Sequence, residues 1–207
     1  MAMSSAPVRV FAAVGRGGSD AADDLSLEPR LDLGASLREA EILLVAGAIR
    51  AEDRADLRRL HDTMSHPRAT VIWGARNGLG LPEALRVRAG DDPVETLVET
   101  ARALRSGRRR SAPDALADEP PAPWRGVGPH GQGGEGMMGG VPYGRPMPMM
   151  GGDLRDGLML DAYRARFGPF LTALPPGLAL EITLQGDVIQ SAAVRRATQA
   201  RSAKSPM

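Results

Sequence analysis

Short apolar runs and helical stripes take turns along residues 7–106, a pattern that predicts a parallel α/β sheet. Val8–Val14 is rich in strand formers and ends in the glycine turn Gly15-Arg16-Gly17-Gly18. Ile42–Ala46 is apolar at every position, as a strand buried on both faces requires, and Gly47 punctuates it. Arg50–Met64 carries Leu57, Leu60 and Met64 at i, i+3 and i+7 with charge elsewhere, so it predicts an amphipathic helix closed by Pro67. Thr70–Trp73 reads as the next strand and Glu83–Arg88 as a shorter one. Asp92 then predicts an N-cap, Pro93 the first helical position and Glu95 the far side of a capping box. Val94, Leu97, Val98 and Ala101 give that last helix its buried face, and Gly107 stops it.

The texture changes after residue 106. Arg108–Arg110 is a short basic run, and the Pro/Ala/acidic stretch through Pro123 reads as a mobile linker. The chain from there to residue 157 is dense in Gly, Pro and Met, with too little apolar periodicity to offset the chain entropy of building a core. Residues 107–157 are therefore expected to be a linker and an extended arm that orders only against another surface. Regular patterning returns over residues 158–195. Pro175-Pro176-Gly177 makes a turn, and the strand alternation of Leu178–Ala193 is broken at Gln185-Gly186-Asp187 by a tight hairpin. Two or three antiparallel strands are expected here, marginal as an isolated unit. Residues 196–207 read as a frayed polar tail. The predicted fold class is thus α/β: a small parallel sheet flanked by helices over residues 1–106, then the Gly/Pro/Met-rich arm, then a C-terminal antiparallel β-hairpin.

Charge is balanced at +1, which gives no electrostatic reason to expect a nucleic-acid partner. The chain has no cysteine, so disulfides are excluded and a reducing compartment is the simpler fit. The N-terminus lacks the basic-then-apolar order of a secretory leader, and runs such as Ile42–Ile49 fall far short of the roughly 20 residues that span a bilayer. The expected location is cytoplasmic, with room for peripheral attachment to the inner face of the cytoplasmic membrane.

The strand Ile42–Ala46 with its Gly47 turn, the helix carrying Leu57-Arg58-Arg59-Leu60, and Val71-Ile72-Trp73-Gly74 form a recognisable series. Over about residues 7–106 the chain resembles the cluster-bearing small subunit shared by respiratory complex I and nickel–iron hydrogenases. That resemblance implies a fold holding an iron–sulfur cluster through thiolates on the loops after its strands. The family's Gly-x-Cys after the last of these strands corresponds to Gly74-Ala75-Arg76 here, and its Pro-Gly-Cys-Pro to Ala89-Gly90-Asp91-Asp92-Pro93. Its early cysteine pair would fall in Val14–Asp20, which has none. The degenerate cluster positions are thus near Gly15, Ala75, Arg76 and Asp91, and carboxylates there are poor substitutes for thiolates. The resemblance therefore implies that the family's 4Fe-4S cluster is absent and that no cofactor is bound.

A second stretch, FGPFLTALPPGLALEITLQGDVIQSA, is similar to the opening strands of complex I's large quinone-site subunit through Gly168-Pro169, Gly177 and the Leu180–Ile189 hairpin. The family's loop histidines are missing from Phe170–Pro176. Together the two resemblances imply an accessory, structural subunit of an NADH-quinone oxidoreductase-like (complex I-like) or group-4-hydrogenase-like complex, with no catalytic residue of its own. Its partners would be a large-subunit-like protein and other subunits of a membrane-associated redox complex. A different reading is a nucleotide- or flavin-binding α/β domain, with its ligand near Gly15–Ser19 and Gly74–Asn77, where open α/β sheets bind.

The remaining candidate chemistry is thin. Gly15–Gly18 lacks the spacing and lysine of a phosphate loop and reads as a tight turn. His61 reads as a helix-surface residue, and His61 and His66 lack the further ligands a metal site needs. His130, within Gly128-Pro129-His130-Gly131, is a candidate proton carrier near neutral pH, but the favoured reading is a histidine in a flexible loop. Met137, Met138, Met147, Met149 and Met150 could bind copper through their thioethers. Their glycine-rich context points instead to an adaptable interface, with Tyr143 among them. No Ser/His/Asp or Cys/His arrangement and no acid/base carboxylate pair stands out.

Overall fold

The computed structural model describes residues 6–75, 78–117 and 162–199. They form a five-stranded parallel sheet with helices and a separate three-stranded antiparallel sheet near the C-terminus. The chain divides into two compact units. One contains Met1–Ala117 together with Gly168–Ala179 and Arg195–Met207, and the other contains Asp118–Phe167 with Leu180–Val194.

In the first unit the strands are β1 (Val8–Val14), β2 (Leu31–Asp32), β3 (Ile42–Ala46), β4 (Ala69–Trp73) and β5 (Leu85–Val87), in the order β2-β1-β3-β4-β5. Every pairing is parallel, with Val10 opposite Ile42 and Ile42 opposite Ala69. All five residues of β3 are buried, as its unbroken apolar run predicts for the middle of such a sheet. Each of its large side chains contributes about 1.5–3 kcal/mol of burial, an upper bound. The two-residue β2 and the half-exposed β5 add little by comparison.

Helices α1 (Ser19–Leu25), α2 (Arg54–Thr63) and α3 (Val94–Arg105) cover the two faces. Val8, Val10, Ile42, Leu44 and Val71 meet Leu25 of α1 and the Val94, Leu97, Val98, Ala101 stripe of α3 in one core. Phe11, Ala13, Leu43, Val45 and Ile72 meet Leu57 of α2 and Met64 in the other. The second core also takes Phe170, which arrives from Gly168–Ala179 far along the chain. Among the described residues α2 is the only helix that contributes to this core.

Several local readings change. Helix α1 lies where no element was expected, because only Ala22 and Leu25 of its seven residues are buried and the stripe is too short to show a period. Helix α2 starts later than expected, since Ala51–Asp53 forms a tighter 3-10 turn first. The N-cap of α3 is Pro93 and the helix starts at Val94, one residue later than expected; Asp92 still accepts the Val94 amide at 2.9 Å, but Glu95 bonds Arg30 at 2.5 Å, so the capping box does not close. Residues 107–117, expected to begin a mobile linker, are instead fastened to the sheet: the Ala112 amide donates to Arg68 at 2.9 Å and Ala112 is buried. The expected tail is likewise tied down as far as Gln199, whose amide donates to Pro176 at 2.8 Å.

The antiparallel strands are β6 (Ala162–Phe167), β7 (Ala179–Gln185) and β8 (Val188–Arg196), in the order β6-β7-β8; all lie in the second unit except Ala179 and the Arg195-Arg196 end of β8, which belong to the first. The expected tight hairpin is the two-residue loop Gly186-Asp187, with φ of +58° at Gly186, where a side chain is disfavoured. Strand β8 is exposed along nearly its whole length, and Tyr163, Ile189 and Val194 are large, apolar and more than half exposed.

Candidate functional site

The strand order reverses between β1 and β3, and open α/β sheets bind ligands in the crevice outside the carboxyl ends of such a pair. Here the two loops leaving those strands hold each other. The Gly15 amide donates to the Ala46 carbonyl at 2.7 Å, Arg16 to Ala48 at 2.9 Å, and Ala48 back to Arg16 at 3.0 Å. Glycine makes this approach feasible. A Cβ on Gly15 would lie 2.6 Å from the Ala48 oxygen, and one on Gly47, at φ +80°, would lie 2.7 Å from the Arg16 oxygen. The Gly18 amide is also spent, on Gly15 at 3.1 Å, so the loop reads as a turn rather than a phosphate cradle.

The degenerate cluster positions are dispersed around this end of the sheet. Gly15 is in the interlocked loop, Ala75 packs against the second core, and Asp91 is exposed after β5. Arg76 lies outside the described residues, as do His130 and the candidate interface Met137, Met138, Tyr143, Met147, Met149 and Met150. A glycine, an alanine methyl and one exposed carboxylate do not fit an iron–sulfur cluster, whose sulfide-bridged irons take thiolates. Among the described residues no group of three or more His, Asp or Glu could hold a metal ion.

Two charged clasps fix later segments of the first unit to α2 and β4. In the first, Asp53 is fully buried and takes Arg50 Nε on Oδ2 at 2.7 Å and Arg196 Nη1 on Oδ1 at 2.8 Å. Arg196 also reaches Asp56 at 2.5 Å, while Arg50 donates to the Gly177 and Ala197 carbonyls at 2.6 and 2.9 Å. Burial alone would lower the pKa of Arg196, but its hydrogen bonds to Asp56 and Asp53 outweigh this and raise it. In the second clasp Arg68, 1 % exposed, donates to the Asp62 and Met64 carbonyls and pairs with Asp114. The Asp62 carboxylate accepts the Ala115 and Leu116 amides at 2.8 and 2.9 Å. Burial pushes that carboxyl up; the Ala115 amide, the His61 ring and the Leu116 amide together hold it below the usual carboxylate range.

His61 is therefore not a helix-surface residue. Its ring is fully buried, with Nδ1 2.7 Å from Asp62, because α2 turns it inward beside Leu57. His66 sits with Nδ1 2.6 Å from the Ser111 hydroxyl, another part of the fastening.

Two open spaces border the carboxyl edge of the sheet. A cavity of about 320 Å³ lies between Val14, Ser19 and Ala22 on one side and Pro169, Phe170 and Leu174 on the other. A groove of about 540 Å³ lies between α1 and the start of α3, around the Trp73 indole. In the sequence Trp73 reads as the end of a strand and as part of the Val71-Ile72-Trp73-Gly74 series. The available signal was a large aromatic closing an otherwise aliphatic strand in a chain with seven aromatics.

No model of a known protein family matches this chain, and no curated protein matches it in sequence.

Proposed function

We propose that this protein is a non-catalytic docking subunit, whose parallel-sheet unit is a rigid body and whose three-stranded sheet completes a larger partner. The observation that carries this reading is β8, an edge strand exposed over nearly all its nine residues in a sheet that presents Tyr163, Ile189 and Val194 to solvent. A three-stranded sheet with little buried apolar surface is marginal alone, and an open edge is a ready template for strand addition. Large exposed apolar side chains on such a sheet are a further mark of an interaction surface.

The interlocked loops support the same reading from the other unit. The loops leaving β1 and β3, where a doubly wound sheet would receive a cofactor, spend their amides on each other. The clasps add that residues 168–179 and 195–199 are held onto a preformed body rather than left to fold on contact. The resemblance to the small and large subunits of complex I and its hydrogenase relatives is what supports a redox complex as the host, with a large-subunit-like protein as partner. Electron transfer would then belong to the partners. Affinity purification of the tagged full chain from its native host, in mild detergent, tests the proposal. A stoichiometric large-subunit-like partner is expected, and recovery of the chain alone at working concentrations would refute it.

One observation favours a second reading, a small-ligand domain. The 320 Å³ cavity beside Ser19 is of ligand size and next to the loop where that alternative places its ligand. Thermal-shift titration with nucleotides and flavins separates the two. Stabilisation of several degrees would favour the ligand domain, and none is expected for a docking subunit.

A further inference from the structure

We infer that the groove around Trp73 is a docking site for an extended, arginine-bearing segment of a partner protein. This rests on the parallel-sheet unit alone and stands or falls separately from the docking of β8. The floor is apolar: Leu25 and Val94 are buried beneath it, and the Trp73 indole is half-buried at the end of β4. Its indole N–H donates to the Asp91 carbonyl at 2.9 Å, which fixes the plane of the ring against the loop before α3. At the rim Leu27 is 82 % exposed, an apolar side chain with nothing over it.

Charge complementarity decides the occupant. Asp24 and Asp91 are exposed on opposite walls, and neither carboxylate has a partner among the described residues. Glu28 and Asp92 add two more carboxylates, the first already paired with Arg30 and the second bonded to the Val94 amide. No arginine lines this groove among the described residues, in a chain whose basic side chains number 26. A guanidinium satisfies all of this at once: it stacks on an indole face, bonds carboxylates in its plane, and carries an aliphatic stem that covers apolar surface. The apolar lining by Leu25, Leu27, Pro29 and Val94 suits leucine-sized residues beside the arginine.

The test uses the full chain with Trp124→Phe, which leaves Trp73 as the sole tryptophan reporter. The probe is a blocked heptapeptide alternating arginine and leucine. A saturable shift in Trp73 emission is expected, weakening as salt is raised. Removing both rim carboxylates in D24N/D91N should weaken binding about tenfold. Both side chains are exposed, so this variant keeps its fold, checked by an unchanged melting temperature. The inference is overturned by an absent or unsaturable response, by equal binding of the peptide with glutamate for arginine, or by unchanged affinity in D24N/D91N. It is equally overturned if arginine amide alone binds as tightly as the peptide, since the groove would then be a small-cation site.

Discussion

Substituting Asp53 by Asn removes one negative charge from a fully buried point of the charge network among the described residues. Asp53 is fully buried and bridges Arg50 at 2.7 Å and Arg196 at 2.8 Å, linking the turn before α2 to residues nearly 150 positions later. Removing one partner of a buried ion pair costs about 3–5 kcal/mol, because the other charge is left without compensation. Two features lower that figure here. Arg50 keeps the Gly177 and Ala197 carbonyls and Arg196 keeps Asp56, and the two arginine side chains retain 26 % and 14 % exposure. The expected loss is therefore about 2–3 kcal/mol. Urea unfolding of D53N, R196M and the double variant measures it. In the double variant the orphaned Arg196 charge is gone, so the two losses should fall short of additivity by about 1 kcal/mol. Trypsin should also cut near Arg196 much faster in D53N. A D53N stability within about 0.5 kcal/mol of the parent, or strict additivity, would refute the reasoning.

The second clasp behaves similarly: Arg68→Met should cost about 2–4 kcal/mol and speed hydrogen exchange at the Ala115 and Leu116 amides, which stay slow if the 111–116 segment is held otherwise. The Asp62 and Glu41 carboxyls are both held below their ordinary value, so their contribution is complete above the unfolded value of roughly 4 and is lost as pH falls through and below it. Urea midpoints at neutral and strongly acidic pH should show this loss, smaller in D62N than in the parent; an equal loss would contradict it. Gly15→Ala drives a Cβ to 2.6 Å from the Ala48 oxygen and should cost about 2–3 kcal/mol. Gly34→Ala meets only the Asp32 side chain at 3.3 Å and should stay within about 0.5 kcal/mol, both read by thermal melts. Phe170→Ala empties part of the second core and should cost about 3–4 kcal/mol in urea, whereas a loss under 1 kcal/mol would mean the loop is not seated there.

The parallel sheet was legible because its central strands bury both faces: an unbroken run such as Ile42–Ala46 has few other uses in a chain with turn glycines on either side. Helix α3 was legible for a complementary reason, since its apolar stripe, the Asp92 carboxylate ahead of it and the Gly107 stop agree. What escaped were features set by distant residues. Asp53 reads as one acid in a charged helix face until Arg196 arrives, and Arg196 reads as part of a polar tail until Asp53 receives it. Arg68 and Asp114 hide each other in the same way, which is why residues 107–117 looked like free linker. His61 was misplaced because its α2 stripe of Leu57, Leu60 and Met64 was counted without it, although i+4 from Leu57 points to the same side. The Trp73 groove needed α1, an element too short and too acidic to announce itself.

The central proposal is that the loops after β1 and β3 hold each other rather than a cluster, and that the chain carries no redox centre. Anaerobic expression of the full chain with ample iron, followed by assay of iron and acid-labile sulfide, tests it most directly. Less than about 0.1 mole of either per mole of chain is expected, and about four of each, the content of a cubane, would contradict the claim.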